Sequence, residues 1–378
     1  MTILVLSLLA AGYGAFMLYQ LYGWLRLPGC IPPMGDGFKT RVTLIIPTRN
    51  EEDHILSCLQ SIRAQTYPED LLEVVVVNDH STDRTESLVR DFAGGQVQLI
   101  NLSDHLIPGK PVRAFKKKAI EVAISQSRGD LIVTTDGDCT AGKEWISSVV
   151  ACFEKERCKL IAGPVGLRGE RGFFQKLQSL DFLSLQGLTG SLLQLGYPVI
   201  CNGANLAYDR KAFLELGGFE GVDHLASGDD VFLLQKIHRA FPGQCRFLKC
   251  REALVRTCAQ PDVGSFFQQR IRWASKMGRG DSPGLLPLLL FLYAWNLLFP
   301  VLAISSFWEP ALLNWFWGLL LYKTALELVF LFPVAEFFGK CSFLWWLPLE
   351  QFFHIPYILV AAFLGRFKTY QWKGRRVS

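Results

Sequence analysis

Asp136 and Asp138 stand one residue apart, directly after the β-rich run Asp130 to Thr135. Two carboxylates that close repel each other unless they share a cation. Their oxygens are hard ligands that favour Mg²⁺ or Mn²⁺, and such ions usually bridge to substrate phosphates. The first chemistry on offer is therefore a metal–diphosphate site. A polar turn at a strand end is the competing account, because Asp-Gly-Asp alone is common. Three more polar clusters carry possible chemistry: Asn78-Asp79-His80-Ser81-Thr82-Asp83, Gly228-Asp229-Asp230 and Gln269-Arg270-Ile271-Arg272-Trp273. On a helix, Gln269, Arg272 and Trp273 fall at i, i+3 and i+4 and share one face.

These residues need elements to hold them. Asp130 to Thr135 is short, β-branched and bounded by turn residues, as a buried strand is. The acidic pair then lies at the strand's carboxyl end, where open α/β sheets bind ligands. Val42 to Pro47 and Leu72 to Val77 read as two more buried strands, and Val97 to Leu102 as another. Between them, Asn50 is placed to cap a helix with the apolar face Ile55, Leu59 and Ile62. A second helix runs to about Phe92 and a third from Lys116 to Ser127. This alternation implies a mostly parallel sheet with crossover helices. Cys201 to Ala207 is a further strand-like element, and Ser227-Gly228-Asp229-Asp230 opens a helix to about Ala240. Gly172 to Leu195 fits either a core helix or one lying in a membrane interface.

Half of the 378 residues are hydrophobic and only 19% are charged, with the apolar excess at the two ends. That pattern is a membrane protein with a soluble middle. A dispersed net charge of +5 argues against nucleic acid. The ten cysteines contain no C-x-x-C pair, and Cys245, Cys250 and Cys258 match no zinc spacing. They are expected to be reduced and structural in a cytosolic domain. Thr2 to Leu25 is long enough to cross a bilayer; the missing basic n-region argues against a secretory signal. Arg26, Lys39, Arg41 and Arg49 follow it, which puts the next domain in the cytoplasm.

After a Pro/Gly-rich linker, Pro28 to Gly37, the expected organisation is a catalytic domain over 42–280 and a membrane region over 281–378. Residues 1–25 form the anchor and 26–41 the connection. Leu285 to Ile304, Ala311 to Phe332 and Phe343 to Leu364 are the C-terminal candidate spans. Lys323 and Glu327, four apart in the middle one, are expected to neutralise each other. The basic tail, with Arg366, Lys368, Lys373, Arg375 and Arg376, wants the cytoplasm, yet three full spans would leave it outside. A re-entrant segment broken at Pro287, Pro300, Pro348 or Pro356 would resolve this conflict.

The chain resembles the membrane-bound family 2 glycosyltransferases. The resemblance rests on five elements in order over Val42 to Lys276. They are Ile46-Pro47-Thr48-Arg49-Asn50-Glu51, Val77 to Asp83, Thr135-Asp136-Gly137-Asp138, Gly228-Asp229-Asp230 and Gln269-Arg270-Ile271-Arg272-Trp273. It implies an α/β GT-A nucleotide-diphospho-sugar transferase fold flanked by transmembrane helices. It also implies inverting transfer from a nucleotide sugar, with Mg²⁺ or Mn²⁺ as cofactor.

Carried over residue by residue, Pro47, Arg49, Asn50 and Glu51 lie near the nucleoside. Asp79 accepts a hydrogen bond from a base ring N–H, which favours UDP-sugar and leaves GDP-sugar open. Lys117 approaches the donor phosphates or sugar. Asp136 sits near the ribose and metal, and Asp138 ligates the metal. Asp230 is the base, with Asp229 beside it; many relatives have Thr-Glu-Asp at this place, which puts the role of Asp229 in doubt. Gln269 and Arg272 reach the diphosphate, Trp273 walls the acceptor site, and Asn202 and Asn205 line it. With few helices to build a polymer channel, single transfer to a lipid, lipid-linked or glycan acceptor at the cytoplasmic face of a bacterial inner membrane is favoured. A processive polysaccharide synthase is the alternative. The intact acidic positions argue against an inactive sugar-nucleotide sensor, Asp230 and the Gln269-x-x-Arg272-Trp273 helix against a nucleotidyltransferase, and the few spans and long soluble insert against a transporter.

Overall fold

The computed structural model describes residues 2–30, 37–92, 97–107, 109, 112–275 and 285–367, and the backbone of 370–372 and 375–377. Helix α1 spans Thr2–Leu25. Strand β1 (Val42–Thr48) is followed by α2 (Ile55–Arg63), β2 (Leu72–Asn78), α3 (Thr85–Phe92) and β3 (Val97–Asn101). Next come α4 (Phe115–Gln126), β4 (Leu131–Thr134), β5 (Thr140–Ala141), α5 (Trp145–Glu156), β6 (Leu160–Ala162) and β7 (Val165–Arg168). Then α6 (Phe173–Gln194) precedes β8 (Leu206–Asp209), α7 (Arg210–Glu215) and α8 (Asp229–Ala240). After β9 (Cys245–Phe247), β10 (Val255–Cys258) and α9 (Val263–Ala274) come the long helices α10 (Leu285–Ser305), α11 (Ala311–Phe338) and α12 (Leu347–Phe367). Two short strands, β11 (Tyr370–Trp372) and β12 (Arg375–Val377), pair as an antiparallel hairpin.

Seven strands form one sheet in the order β3-β2-β1-β4-β8-β6-β9. The run β3-β2-β1-β4 is parallel throughout; β8 is antiparallel to both neighbours. This is the α/β, mostly parallel sheet that the resemblance implies. Strand β1 lies centrally, so both of its faces are covered and Val42, Leu44, Ile45 and Ile46 are all buried. That explains why it reads as an unbroken apolar run rather than an alternating one. Each such side chain contributes roughly 1.5–3 kcal/mol on burial. A smaller sheet sets β10 between β5 and β7.

Among the described residues, four helices are long and apolar enough to cross a membrane: α1, α10, α11 and the stretch ending in α12. Helix α10 continues through Pro300, α11 through Pro333 and α12 through Pro356, so the expected breaks at Pro300 and Pro356 do not occur. Pro287 and Pro348 sit in first turns, where proline lacks no needed hydrogen bond. The 280/281 boundary, part of the linker, and the side chains of Arg366, Lys368, Lys373, Arg375 and Arg376 lie outside the described residues. Lys323 Nζ meets Glu327 Oε1 at 2.6 Å, as the spacing predicted, and Gln351 bonds both of them. Helix α6 is a core element: it is buried along most of its length against α1, α11, α12 and β9.

Two expectations need correction. Cys30 and Cys250 form a disulfide, with Cα atoms 4.6 Å apart, so not all ten cysteines are reduced. The partners are 220 residues apart, and no local spacing announces the pair. Asn50 does not cap α2, which begins at Ile55 behind His54. Asn50 instead adopts φ 50° and accepts a hydrogen bond from Thr82 N at 2.9 Å, tying the turn after β1 to the turn after β2.

Candidate active site

The parallel register sets Thr48 opposite Asn78 and Ile45 opposite Thr134. Three polar turns therefore emerge side by side at the carboxyl ends of β2, β1 and β4. They form one end of a cleft of about 520 Å³. Asp79 N donates to Thr48 O at 2.8 Å, and Arg49 Nη1 donates to the carbonyls of Asp79 and His80, each at 2.9 Å. The His80 ring lies 2.9 Å from Asp79 Oδ1 and edge-on to Phe115.

Asp136 and Asp138 follow β4. Gly137 between them is closely packed: a Cβ there would meet Thr48 Cγ2 at 3.0 Å and Glu51 Cγ at 3.1 Å. Thr257 on β10 donates to Asp138 Oδ2 at 2.7 Å and orients that carboxylate. Carboxylate oxygens of Asp136 and Asp138 and the Cys139 thiol lie within 4.8 Å of one another. Burial, then the neighbouring Asp138 and Asp136, pushes the Cys139 thiol up. A neutral thiol is no ligand for a hard ion. The two carboxylates remain, and that oxygen set fits Mg²⁺ or Mn²⁺ completed by phosphate and water.

The opposite wall comes from α8 and the turn before β8. Gly228 takes φ 87°, a conformation open to glycine, and so starts α8 with both Asp229 and Asp230 in its first turn. Asp230 Oδ2 accepts from Gly203 N at 3.4 Å, and Asp230 Oδ1 from Val231 N at 2.8 Å. Thr134 and Thr135 hydroxyls bond the carbonyls of Gly203 and Ala204 at 3.0 and 2.8 Å, so the metal strand also carries the turn that faces Asp230. Helix α9 closes the cleft. Asp262 caps it by accepting from Ser265 N, and Gln269, Arg272 and Trp273 line the cavity on the shared face expected of them.

Of the residues singled out from sequence, Pro47, Arg49, Glu51, Asp79, Asp136, Asp138, Asn202, Asp229, Asp230, Gln269, Arg272 and Trp273 come together around the cleft. Asn50, Lys117 and Asn205 do not line it. Asn205 is buried behind the wall: it accepts from Trp145 Nε1 and donates to the carbonyls of Pro164 and Ala253. Lys117 is almost wholly buried and donates to the carbonyls of Val222, Leu225 and Ser227, holding the loop before α8. Its neighbour Lys116 takes the place expected of it. Lys116 Nζ lies 2.7 Å from Asp136 Oδ1 and 3.4 Å from Asp229 Oδ2, bridging the two acidic walls. Burial alone would push this ammonium down, but Asp136 and then Asp229 outweigh it and hold it well above its ordinary value. It stays charged. Thr257 went unnoticed in the sequence, since a lone threonine on a short strand carries no signal.

The two lysines should separate cleanly. Lys116→Gln removes a charge-assisted contact, typically about 1.5–3 kcal/mol. Turnover should fall roughly 10- to 100-fold, a larger effect than the modest drop in melting midpoint from the lost ion pairs. Lys117→Gln should do the reverse: a midpoint lowered by several degrees and a much smaller loss per folded molecule. Steady-state kinetics beside thermal denaturation checks both; equal effects from the two variants would remove the distinction.

Comparison with known proteins gives the same picture. Residues 43–217 match the family described as glycosyl transferase family 2, and residues 131–364 match glycosyl transferase family group 2. The glycosyltransferase AglE of Haloferax volcanii is 27% identical over 190 residues, which is 50% of this chain and 59% of its own length. An N-acetylglucosaminyltransferase of Rhizobium meliloti is 28% identical over 261 residues, 66% of this chain and 58% of its own. The chain thus spans less than three fifths of the length of these curated relatives. The mannosyltransferase PcManGT of Pyrobaculum calidifontis, solved with GDP-Man and Mn²⁺, superposes with a TM-score of 0.58. At 20% identity over 96% of this chain and 97% of that one, it is a likeness of fold. With that second match covering well over half its length, the chain belongs to glycosyl transferase family group 2.

Proposed function

We propose that the protein is an inverting membrane glycosyltransferase that moves a sugar from a nucleotide-diphosphate sugar, with UDP-sugar favoured, to a lipid or lipid-linked acceptor. The observation that carries the acceptor class is a second, mostly apolar cavity of about 90 Å³. It shares Phe182, Asn202, Asp230 and Trp273 with the main cleft and extends to Leu285, the first residue of α10. An acceptor hydroxyl held at Asp230 would have its apolar chain in that cavity, beside a helix long enough to cross a membrane.

In this reading the Asp230 carboxylate takes the acceptor hydroxyl proton. The hydroxyl oxygen bonds to the anomeric carbon from the face opposite the nucleotide. The bond from that carbon to the diphosphate oxygen breaks, its electron pair leaves with the nucleotide, and the configuration inverts. Arg272 and Lys116 bring positive charge to the departing diphosphate, and a guanidinium suits that anion because it binds bidentately. Asp138 and Asp136 would hold a divalent ion, which would supply Lewis-acid charge neutralisation there. Asp79 offers its carboxylate to a ring N–H of the base, and Trp273 offers a flat face to the acceptor.

Orientation rests on opposing signs. Arg26, Lys39, Arg41 and Arg49 on the domain side of α1 support a cytoplasmic face. The Cys30–Cys250 disulfide pulls the other way, since reducing compartments keep thiols apart. Thiol-labelling of denatured protein from intact cells decides it. A cytoplasmic domain shows all ten cysteines labelled; an oxidising compartment shows only the eight left unpaired in the structure.

The experiment for the activity is nucleoside-diphosphate release from a panel of UDP- and GDP-sugars. Purified protein is assayed in native lipid extract with Mn²⁺ or Mg²⁺, then with chelator. Metal-dependent release matched by an organic-extractable product is expected. Release matched by a growing water-soluble polymer would replace the lipid reading with a synthase.

A further inference from the structure

At the wall of the cleft, α9 rests on a buried charge, Arg270, which lines the cavity beside Gln269 and Arg272 and is held from the side away from it. Arg270 is 5% exposed, and its guanidinium lies 4.6 Å from the Phe266 ring and 4.3 Å from the Trp273 ring. It is ion-paired with Asp181 of α6. Its Nε and Nη1 have no hydrogen-bond partner among the described residues, so Asp181 is its anchor. Asp181 is in turn held from α12: it accepts the Tyr357 hydroxyl, and His354 Nδ1 lies 3.7 Å away. The same His354 nitrogen lies 3.0 Å from Glu350 Oε1. The Tyr357 ring also packs edge-on to Phe266 at 5.2 Å. None of Asp181, Glu350, His354 and Tyr357 lines the cleft.

We infer that Tyr357 and His354 are positioning residues, which hold Asp181 from α12 so that Arg270 keeps Trp273 and Arg272 in place on the cleft wall. A buried charge is restricted to the geometry its partner offers, because no water is there to replace it. The stack of Arg270 on Trp273 passes that geometry to a residue in the cleft. Helix α12 belongs to one of the membrane-length stretches, so the shape of the sugar-transfer site depends on how that helix packs against α6 and α9.

Tyr357→Phe tests this in the full-length protein in lipid bilayers. It removes one hydroxyl and keeps the ring. Amide exchange across Val263–Ala274 should quicken by roughly tenfold, the size of losing one hydrogen bond to a charged group. Exchange in β1 and β4 should not change. Metal-dependent nucleotide-sugar turnover should fall about tenfold in kcat. Affinity for the nucleoside diphosphate with Mn²⁺ should fall less than kcat, because Arg272 rides on α9 while Asp79, Asp136 and Asp138 lie on other elements. His354→Ala, which removes the imidazole 3.7 Å from Asp181, should act in the same direction and more weakly than Tyr357→Phe. In an Asp181→Asn background Tyr357→Phe should add less than about twofold, since both act through one group. Unchanged α9 exchange in Tyr357→Phe, exchange raised equally in β1 and β4, or full additivity with Asp181→Asn would each overturn the inference.

Discussion

Asp230→Asn is expected to abolish transfer while leaving the donor side of the cleft intact. The substitution keeps the size and the position at the start of α8. Its amide oxygen can still accept from Val231 N, so the backbone turn survives. What it loses is the ability to take a proton from an acceptor hydroxyl. A positioned base is worth about 10²–10⁴ in rate. Turnover should fall by that amount, with nucleoside-diphosphate affinity within about twofold of wild type, because Asp136, Asp138 and Asp79 lie on other elements. Single-turnover transfer measured beside calorimetric nucleotide binding reads both quantities. Near-normal transfer would rule Asp230 out as the base and move attention to Asp229, its neighbour in the first turn.

Asp138→Ala should be nearly as severe, for a different reason. It deletes one of the two carboxylates that fit a hard cation and leaves the Thr257 hydroxyl without its acceptor. Lewis-acid charge stabilisation is worth several kcal/mol, which is on the order of 10²–10⁴ in rate. Here nucleotide binding should weaken too, and the weakening should vanish when metal is removed from both proteins. That dependence separates it from Asp230→Asn. Thr257→Val offers a milder version: orienting partners of metal ligands typically contribute about 10–100-fold in metal affinity. Titration of Mn²⁺ in the presence of UDP measures all three proteins. Unchanged metal-supported activity in Asp138→Ala would falsify the assignment.

Much of the site was legible because its signals are local. Strands β1, β2 and β4 are short apolar runs that end in polar turns, and the sheet brings those turn ends together whatever the side chains do. The i, i+3, i+4 spacing of Gln269, Arg272 and Trp273 is a property of helix pitch, so their common face needed no fold to predict it. Lys323 and Glu327 met for the same reason.

The misreadings share a different cause. Phe115 to Lys118 opens a helix with three consecutive lysines, and 100° of rotation per residue lets them point in different directions. Which one reaches the acids depends on a loop more than a hundred residues later, whose carbonyls claim Lys117. Asn205 was drawn inward by Trp145, Pro164 and Ala253, and Asn50 sideways by Thr82. Cys30 and Cys250 meet across 220 residues. Elements, their order and the chemistry at their ends follow from periodicity and turn propensity, which act over a few residues. The partner of each buried polar group follows from long-range packing, because a buried donor takes whichever acceptor the fold brings within about 3 Å.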